Sequence, residues 1–584
     1  MTSPRTIGST PESERKRAVP PARMHRRGAA APPPPVPRER PSAAEPAPPP
    51  SPRRGPDHKW LVAAAVSVGA MMATIDLSIV NVALPQIRGS IGATIDQMTA
   101  LATSFAIAQV IVMPLTAFLA RFLGQKRVYL VCLGVFIAGS ALCGLSHTLT
   151  QLVVSRTLQG LGAGALMPSQ MAILRQTFPR KEQGMAMAVV GMVITFGPAV
   201  GPTLGGWIVD NWSWPWIFYI NLPVGLLGIA MSARFVHEPE DIRAANVAQA
   251  ARLKRDFDWL GIVLLSVGLA SLQYVLEEGN RNDWFASRLI AALGLTAAAA
   301  LIGFVVTELR APAPAVNLRL FRDPVFASAT LLAGVMFSSL MAGMFLLPVF
   351  MQEMLGFTAL KSGLALMPRA LIMMVVTPFV GRIYNHVSPR LLIAAGVACV
   401  ALGCWDMGDF TLETSDAGII RTLILQGVGF SCLFVPLATV ALSFVPRVQL
   451  TDATGLNSVV RQFGGSAGLA IYGTLLTRYG VQARQALSEH VTIYRPEVEQ
   501  RLAAIASGLA HRGMDAVTAK AAAIQALAGI VERQGMAIAF ARVFSLTGLV
   551  LGLTLPLVLF LRQSEQDDHP YASAAAPAPV PAGE

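Results

Sequence analysis

The sequence predicts an all-α polytopic membrane protein, a bundle of fourteen spanning helices. Three observations carry this reading. Charge is sparse: 53% of the 584 residues are hydrophobic and 14% charged, with a mean hydropathy of +0.53. Many apolar runs exceed the roughly 18 residues that mark a spanning helix. Lysine and arginine collect in alternate loops, as they do in polytopic chains.

In chain order the expected spans are 60–84, 98–119, 127–147, 151–174, 184–208, 214–236, 258–277, 288–308, 325–350, 360–382, 389–409, 419–443, 452–477 and 538–562. Each is near the ~20 residues that carry a helix across about 30 Å of hydrocarbon. One set of loops holds Arg121, Lys126 and Arg127, then Arg175, Arg180 and Lys181, then Arg252, Lys254 and Arg255, then Arg310, Arg319 and Arg322, then Arg382 and Arg390. The opposite set is nearly bare, with Arg88, Arg281 and Lys361 among its few cations. The rich set shares a side with the N-terminal tail. Both termini are therefore expected in the cytoplasm. The stretch DNWSWPWIFYIN (210–221) fits an aromatic belt at the outer surface.

Residues 1–59 hold twelve Lys/Arg against five Asp/Glu. Their proline-rich run AAAPPPPVPRERPSAAEPAPPPSPRRGP cannot bury a core, so a disordered basic tail is expected. It has no apolar h-region and is not expected to be a cleaved signal peptide. A basic tail can meet nucleic acid or anionic lipid. The positive-inside rule explains the charge more simply, and no nucleic-acid partner is expected. The cysteines Cys132, Cys143, Cys399, Cys404 and Cys432 all fall in expected spans without a CxxC or Cys/His cluster. Neither disulfides nor a metal site is expected.

The spans group into a six-helix half over 60–236, two extra helices over 258–308 and a second half over 325–562. Loops 237–257 and 309–324 join them on the cytoplasmic side, and a tail, 563–584, follows. The long external connection 478–537 reads as short amphipathic helices in water. A weak repeat links the halves: RTLQGLGAGALMP (156–168) and RTLILQGVGFSCLFVP (421–436) share QGxG followed by proline. Paired halves of this kind place a transport site between them.

Within the spans, Asp76 in MMATIDLSIVNVALP is the clearest deep carboxylate. A carboxylate in hydrocarbon is costly and is a functional candidate by default. Burial favours the neutral form of an acid, which suits a proton carrier. Arg156 lies about 8 Å into the fourth span and Asp76 about 12 Å from the same surface, at 1.5 Å per residue. A direct or water-bridged contact is expected. It is either a proton-coupling pair or a static lock between two helices.

In VVGMVITFGPAVGPTLGGWI, Gly197, Gly201 and Gly205 recur every four residues and share a face, with Gly206 beside them. That face lets another backbone approach closely. Pro198 and Pro202 remove backbone donors and bend the helix. The result suits an interface that rocks, or ordinary tight packing. Asn81, Gln109, Gln159, Asn221, Asn457, Arg461 and Gln462 are the polar groups expected to line a substrate cavity; singly, each amide also serves as interhelix glue. No Walker A motif, HExxH or nucleophile elbow is present, so neither an enzyme nor an ATP-driven pump is expected. No cofactor is expected.

Together these segments resemble the 14-helix drug:proton antiporters of the major facilitator superfamily, the EmrB/QacA type. TIDLSIVNVALPQI is similar to their first-helix signature. RTLQGLGAG resembles the fourth-helix motif whose arginine, here Arg156, is implicated in proton transfer. GPAVGPTLGG resembles the fifth-helix antiporter motif, DWLGIVLLSVGLASLQYVLEEGNRNDWFAS the extra seventh helix, and GLNSVVRQFGGSAG the thirteenth. The likeness runs from about 60 to 562. It implies the major facilitator fold and a proton-driven exporter of lipophilic drug-like compounds in a bacterial inner membrane. The implied partners are a small-molecule substrate, protons and the bilayer, with a periplasmic adaptor protein left open. The alternatives are an exporter of a lipid, siderophore or endogenous metabolite, and a non-transporting receptor or scaffold. One departure stands out. The family's loop between helices 2 and 3 reads like GxLADRxGRK, whereas this chain has AFLARFLGQKR. Gly124, Lys126 and Arg127 keep its turn and basic character, but Arg121 replaces the aspartate that latches the cytoplasmic side, and Ala117 its first glycine.

Overall fold

The computed structural model describes residues 57–238, 242–243, 246, 258–311, 314–492 and 494–561. The expected N-terminal tail (but for its last three residues), most of the 237–257 loop and the C-terminal tail lie outside the described residues. The described secondary structure is helical throughout.

The first group of helices is α1 (Asp57–Ile91), α2 (Ile95–Leu123), α3 (Gln125–Gly144), α4 (Leu149–Gly164), α5 (Leu166–Thr177), α6 (Gln183–Asn211), α7 (Trp216–Tyr219) and α8 (Asn221–Phe235). Then come α9 (Trp259–Glu278) and α10 (Arg288–Arg310). The second group is α11 (Pro324–Val349), α12 (Ala359–Ile383), α13 (Pro389–Gly408), α14 (Asp416–Ala441), α15 (Leu450–Ser488), α16 (Pro496–Ala510) and α17 (Ala516–Gly552). Twelve of the described helical segments are long and apolar enough to cross a membrane. The other two expected spans correspond to α4 with α5, interrupted at Ala165, and to α15, which is less apolar.

Local sequence sets the helix starts. Thr94 and Gln97 form a reciprocal capping box before α2. Thr148, Asp323, Thr358, Ser388, Ser415 and Asp515 cap α4, α11, α12, α13, α14 and α17 through their side chains. Each cap satisfies a backbone donor the helix cannot use, at about 1 kcal/mol. Between α2 and α3 the chain turns at Gly124, whose φ of +82° is a left-handed value that favours glycine.

Packing divides the bundle. In the first group α1 lies along α6, and α4 packs on α2 and α3. In the second, α11 lies along α15, α13 along α14, and α12 against α14. The groups meet through α6 with α12 and α2 with α15, while α9 touches both α2 and α15. Outward-facing Leu295, Ile302, Leu402 and Trp405 are each more than 60% exposed, as side chains bathed by lipid should be. Trp207, Trp212 and Trp216 form an exposed aromatic ladder at one end of the bundle, opposite the basic loops.

The connection 478–537 differs from expectation. Helix α15 runs unbroken to Ser488 and α17 begins at Ala516, so only α16 is a separate short helix. Apolarity ends near 477, but nothing in RYGVQARQALS stops a helix. Hydropathy limits a span, not the helix that contains it.

Candidate functional site

Asp76 lies on α1 with no solvent exposure. Its carboxylate is held by two neighbouring helices. Arg156 on α4 donates from Nη1 to Asp76 Oδ2 at 2.5 Å. Gln159 on the same helix donates from Nε2 to Oδ1 at 2.8 Å, and Asn221 on α8 donates from Nδ2 to that oxygen at 3.2 Å. Arg156 and Gln159 are three residues apart, so they stand side by side on one helical face. Arg156 Nη1 also donates to Gln159 Oε1 at 2.7 Å. Ser140 on α3 closes the network: its Oγ accepts from Gln159 at 3.2 Å and Asn221 at 2.9 Å, and donates to the Phe218 carbonyl at 2.9 Å. The Arg156 guanidinium stands 4.3 Å from the Phe105 ring centroid and 5.8 Å from that of Phe218.

This is a closed polar island inside an apolar wall. Every acceptor on Asp76 is engaged, and Arg156 keeps one buried nitrogen, Nε, without a partner. Protonating Asp76 would remove the anion that balances Arg156. The guanidinium would then have to find another partner or move, because Arg does not give up its charge.

The glycine face of α6 clasps α1. A Cβ on Gly197 would stand 2.4 Å from Thr74 Oγ1, one on Gly201 would stand 1.9 Å from Ser78 Oγ, and one on Gly205 would meet Ile79 at 2.7 Å. Gly206 looks elsewhere, its nearest neighbour being 4.0 Å away. Thr74 and Ser78 flank Asp76 on α1, and Ser78 donates to the Gly197 carbonyl at 3.1 Å. Helix α6 runs on through Pro198 and Pro202. The contact between the two groups of helices uses other residues of α6. Gly184 backs directly onto the Gly381 carbonyl, and Gly191 meets Phe434 and Thr377.

The remaining polar candidates scatter. Asn81 is exposed on α1. Five residues at 100° each turn it about 140° from Asp76. Gln109 is buried with an unpartnered Oε1, apart from the Asp76 network. Asn457 donates to Thr330 at 3.3 Å, joining α15 to α11. Gln462 is half-buried. Arg461 is buried between the two groups, with Nη2 3.5 Å from Met171 Sδ and 3.4 Å from Ser458 Oγ.

The basic loop contains an ion pair that sequence reasoning missed. Arg121 Nη2 donates to Asp452 Oδ1 in the first turn of α15 at 2.5 Å, and Nη1 to the Pro314 carbonyl at 3.1 Å. Both side chains are largely buried. On the same end, Asn385 donates to the Lys181 carbonyl. Lys126 donates to the Ala233 carbonyl at 2.6 Å, and Arg127 is exposed. The bundle is therefore shut at its basic end. Between α1, α6 and α12 lies a cleft of about 300 Å³ lined by Met71, Met192, Thr195, Phe196, Met367 and Met374. Ser140, Asp452 and the deeply buried Arg369 were all missed. Only Arg369, ten residues into a span, carried a visible signal.

Comparison with known proteins agrees with this architecture. The chain is 33% identical over 452 residues to the fatty acid resistance protein FarB of Neisseria gonorrhoeae, covering 77% of this chain and 87% of that one. It is 31% identical over 500 residues to the multidrug export protein EmrB of Escherichia coli, covering 85% and 94%. The solved human organic anion transporter MFSD10 shares the fold at a TM-score of 0.54 and 14% identity, over 86% of this chain and all of that one. Residues 66–469 match the model of the Major Facilitator Superfamily, and the chain belongs to that family of membrane transporters.

Proposed function

We propose that this protein is a proton-driven exporter of lipophilic compounds, working by alternating access at a bacterial inner membrane. It is a transporter and not an enzyme. The observation that carries the coupling is the Asp76–Arg156 pair, fully buried and bonded at 2.5 Å. A carboxylate with no exposure cannot exchange protons with water until the helices around it move. Proton uptake and helix movement are therefore the same event. Protonated Asp76 releases Arg156 and loosens α4 and α8 from α1. The clasp of α6 on α1 passes that movement to the contact with α12. The two groups of helices act as rocking halves, with α9 and α10 as the additional pair.

The basic end faces the cytoplasm, and both termini lie there. Export of multiple lipophilic compounds follows from the likeness to EmrB, and resistance to fatty acids is what the FarB name adds. The methionine-lined cleft supports that reading, because flexible thioethers adapt to many apolar shapes. A periplasmic adaptor belongs to the same proposal. Everted vesicles test the central point. Wild-type protein should accumulate substrate when the lumen is acidified, and Asp76→Asn should not. Full proton-driven accumulation by Asp76→Asn would end the coupling scheme.

A further inference from the structure

Two acids of the additional helix pair face each other at its basic end. Asp258 stands just before α9, and Glu308, 2% exposed, lies in the last turn of α10. Each uses one carboxylate oxygen on a nearby backbone. Asp258 Oδ1 accepts from the Gly261 N–H at 2.8 Å and so caps α9, and Glu308 Oε1 accepts from the Val316 N–H. The other two oxygens, Asp258 Oδ2 and Glu308 Oε2, are shielded from solvent and meet no hydrogen-bond donor among the described residues. They crowd one point: a Cβ on Gly261 would stand 2.2 Å from Asp258 Oδ2 and 2.9 Å from Glu308 Oε2.

Two buried carboxylates brought this close cannot both stay ionised, and one proton between them turns repulsion into a hydrogen bond. The cation acting on Glu308 is Arg121 of α2, which is already bonded to Asp452 of α15. Three acids therefore share one arginine at this corner. Arg310, Arg319 and Arg322, on the way from α10 to α11, are exposed, and the other acids of α9, Glu277 and Glu278, lie at its far end.

A short stretch of chain ties this corner to the shut end. Val316, held by Glu308, is two residues from Pro314, whose carbonyl accepts from Arg121 Nη1 at 3.1 Å. Ala315 and Val316 are buried, at 0% and 1% exposure. Glu308 and the arginine of the Arg121–Asp452 bond thus pin the same connection between α10 and the second group of helices. We propose that Asp258 and Glu308 form a proton-binding site, filled from the cytoplasm, that holds the basic end shut while it is occupied. Loss of the shared proton leaves two anions face to face. Their repulsion drives Glu308 from Asp258 and carries Val316 and Pro314 away from Arg121, and water entering the opened corner stabilises both anions. Opening at this end therefore rises with pH. The sign is opposite to that of Asp76, whose protonation loosens the helices, and of Asp452, whose protonation breaks its bond to Arg121. The proton comes from the cytoplasm and returns there, so it regulates access and drives nothing. The site goes beyond the coupling scheme above and does not depend on Asp76.

The test removes Asp76 first. Full-length Asp76→Asn protein in lipid nanodiscs carries spin labels at Lys181→Cys and His386→Cys, one on each group of helices at the basic end, with the native cysteines replaced. From about pH 6 to about pH 8.5, the range open to carboxyls in such surroundings, the open fraction should rise at least about tenfold. In Glu308→Gln the amide keeps the Val316 bond and donates to Asp258 in place of the proton, so the open fraction should change less than about twofold over that range. Asp258→Asn, which can still cap α9, should flatten the response likewise. A flat response with both acids intact, a fall as pH rises, or a rise that persists in Glu308→Gln overturns the site. Infrared difference spectra give a second readout that needs no movement. Over the same range Asp76→Asn protein should lose a protonated-carboxyl C=O band as pH rises, and Glu308→Gln in that background should lack the band at every pH. A band that survives Glu308→Gln, or none in its absence, sinks the proposal. Full proton-driven accumulation by Asp76→Asn would end the coupling scheme and leave this site standing.

Discussion

Reversing charges at the basic end gives the sharpest test of alternating access. Arg121 and Asp452 are 12% and 4% exposed and bonded at 2.5 Å, so each depends on the other for a counterion. Asp452→Arg would place two guanidinium groups together, and Arg121→Asp two carboxylates. Stranding one member of a buried pair costs about 3–5 kcal/mol. When the basic end opens, both side chains enter water and most of that cost disappears. Each single reversal should therefore shift the balance from shut to open by about two to three and a half powers of ten, at ~1.4 kcal/mol per tenfold. The double reversal restores opposite charges and should recover most of the shift. Recovery should be incomplete, because an aspartate at position 121 cannot donate to the Pro314 carbonyl, a bond of about 1.5–3 kcal/mol when the donor is charged. Spin labels at Lys181→Cys and His386→Cys, in a background without the five native cysteines, report the gap between the groups at this end. Wild-type protein should show a short distance, the single reversals a long one, and the double reversal a mostly short one. Unaltered distances in the singles, or a double as open as the singles, would show that the pair does not hold the end shut.

Two further outcomes follow from other contacts. Gly201→Leu should pry α6 from α1, since even a Cβ would reach 1.9 Å from Ser78 Oγ; a loss of about 1–3 kcal/mol in stability and of transport is expected, while Gly206→Ala, with 4.0 Å of clearance, should leave both near wild type. Ser140→Ala takes one of two acceptors from each of the Gln159 and Asn221 amides, which keep Asp76 Oδ1, and should cost about 1–3 kcal/mol in thermal or denaturant unfolding.

Much of this was legible before any coordinates. Apolar runs marked the spans because hydrocarbon allows few alternatives to a helix. Asp76 stood out as a lone acid, and simple rise per residue put Arg156 at its depth. What escaped notice depended on long-range pairing. Asp452 lies 331 residues from Arg121, and nothing local links them. With its partner unseen, Arg121 read as the loss of a latch, whereas the structure places a bond of opposite polarity at that position. Ser140 was invisible for another reason: a serine among alanines and glycines carries no pattern. Asn81 was misplaced because composition, without helical phase, counts every polar residue in a span alike.

Buried charge is distributed unevenly between the two groups of helices. The first group of helices balances its buried pair inside the protein, with Arg156 on Asp76 Oδ2 and the Gln159 and Asn221 amides on Oδ1. The second group leaves Arg461 and Arg369 unbalanced. A proton on Asp76 adds one more uncompensated cation, in Arg156, to a core that already holds two. That accumulation would oppose protonation while the helices stay packed, so a proton on Asp76 would favour a state in which they have moved. Such a movement would have to be accommodated at the close contact between α6 and α12, where Gly184 meets Gly381 backbone to backbone. Gly381→Val, which crowds that contact without touching any charge, should abolish proton-driven uptake into everted vesicles; full uptake by the variant would show that close packing there is not needed for transport.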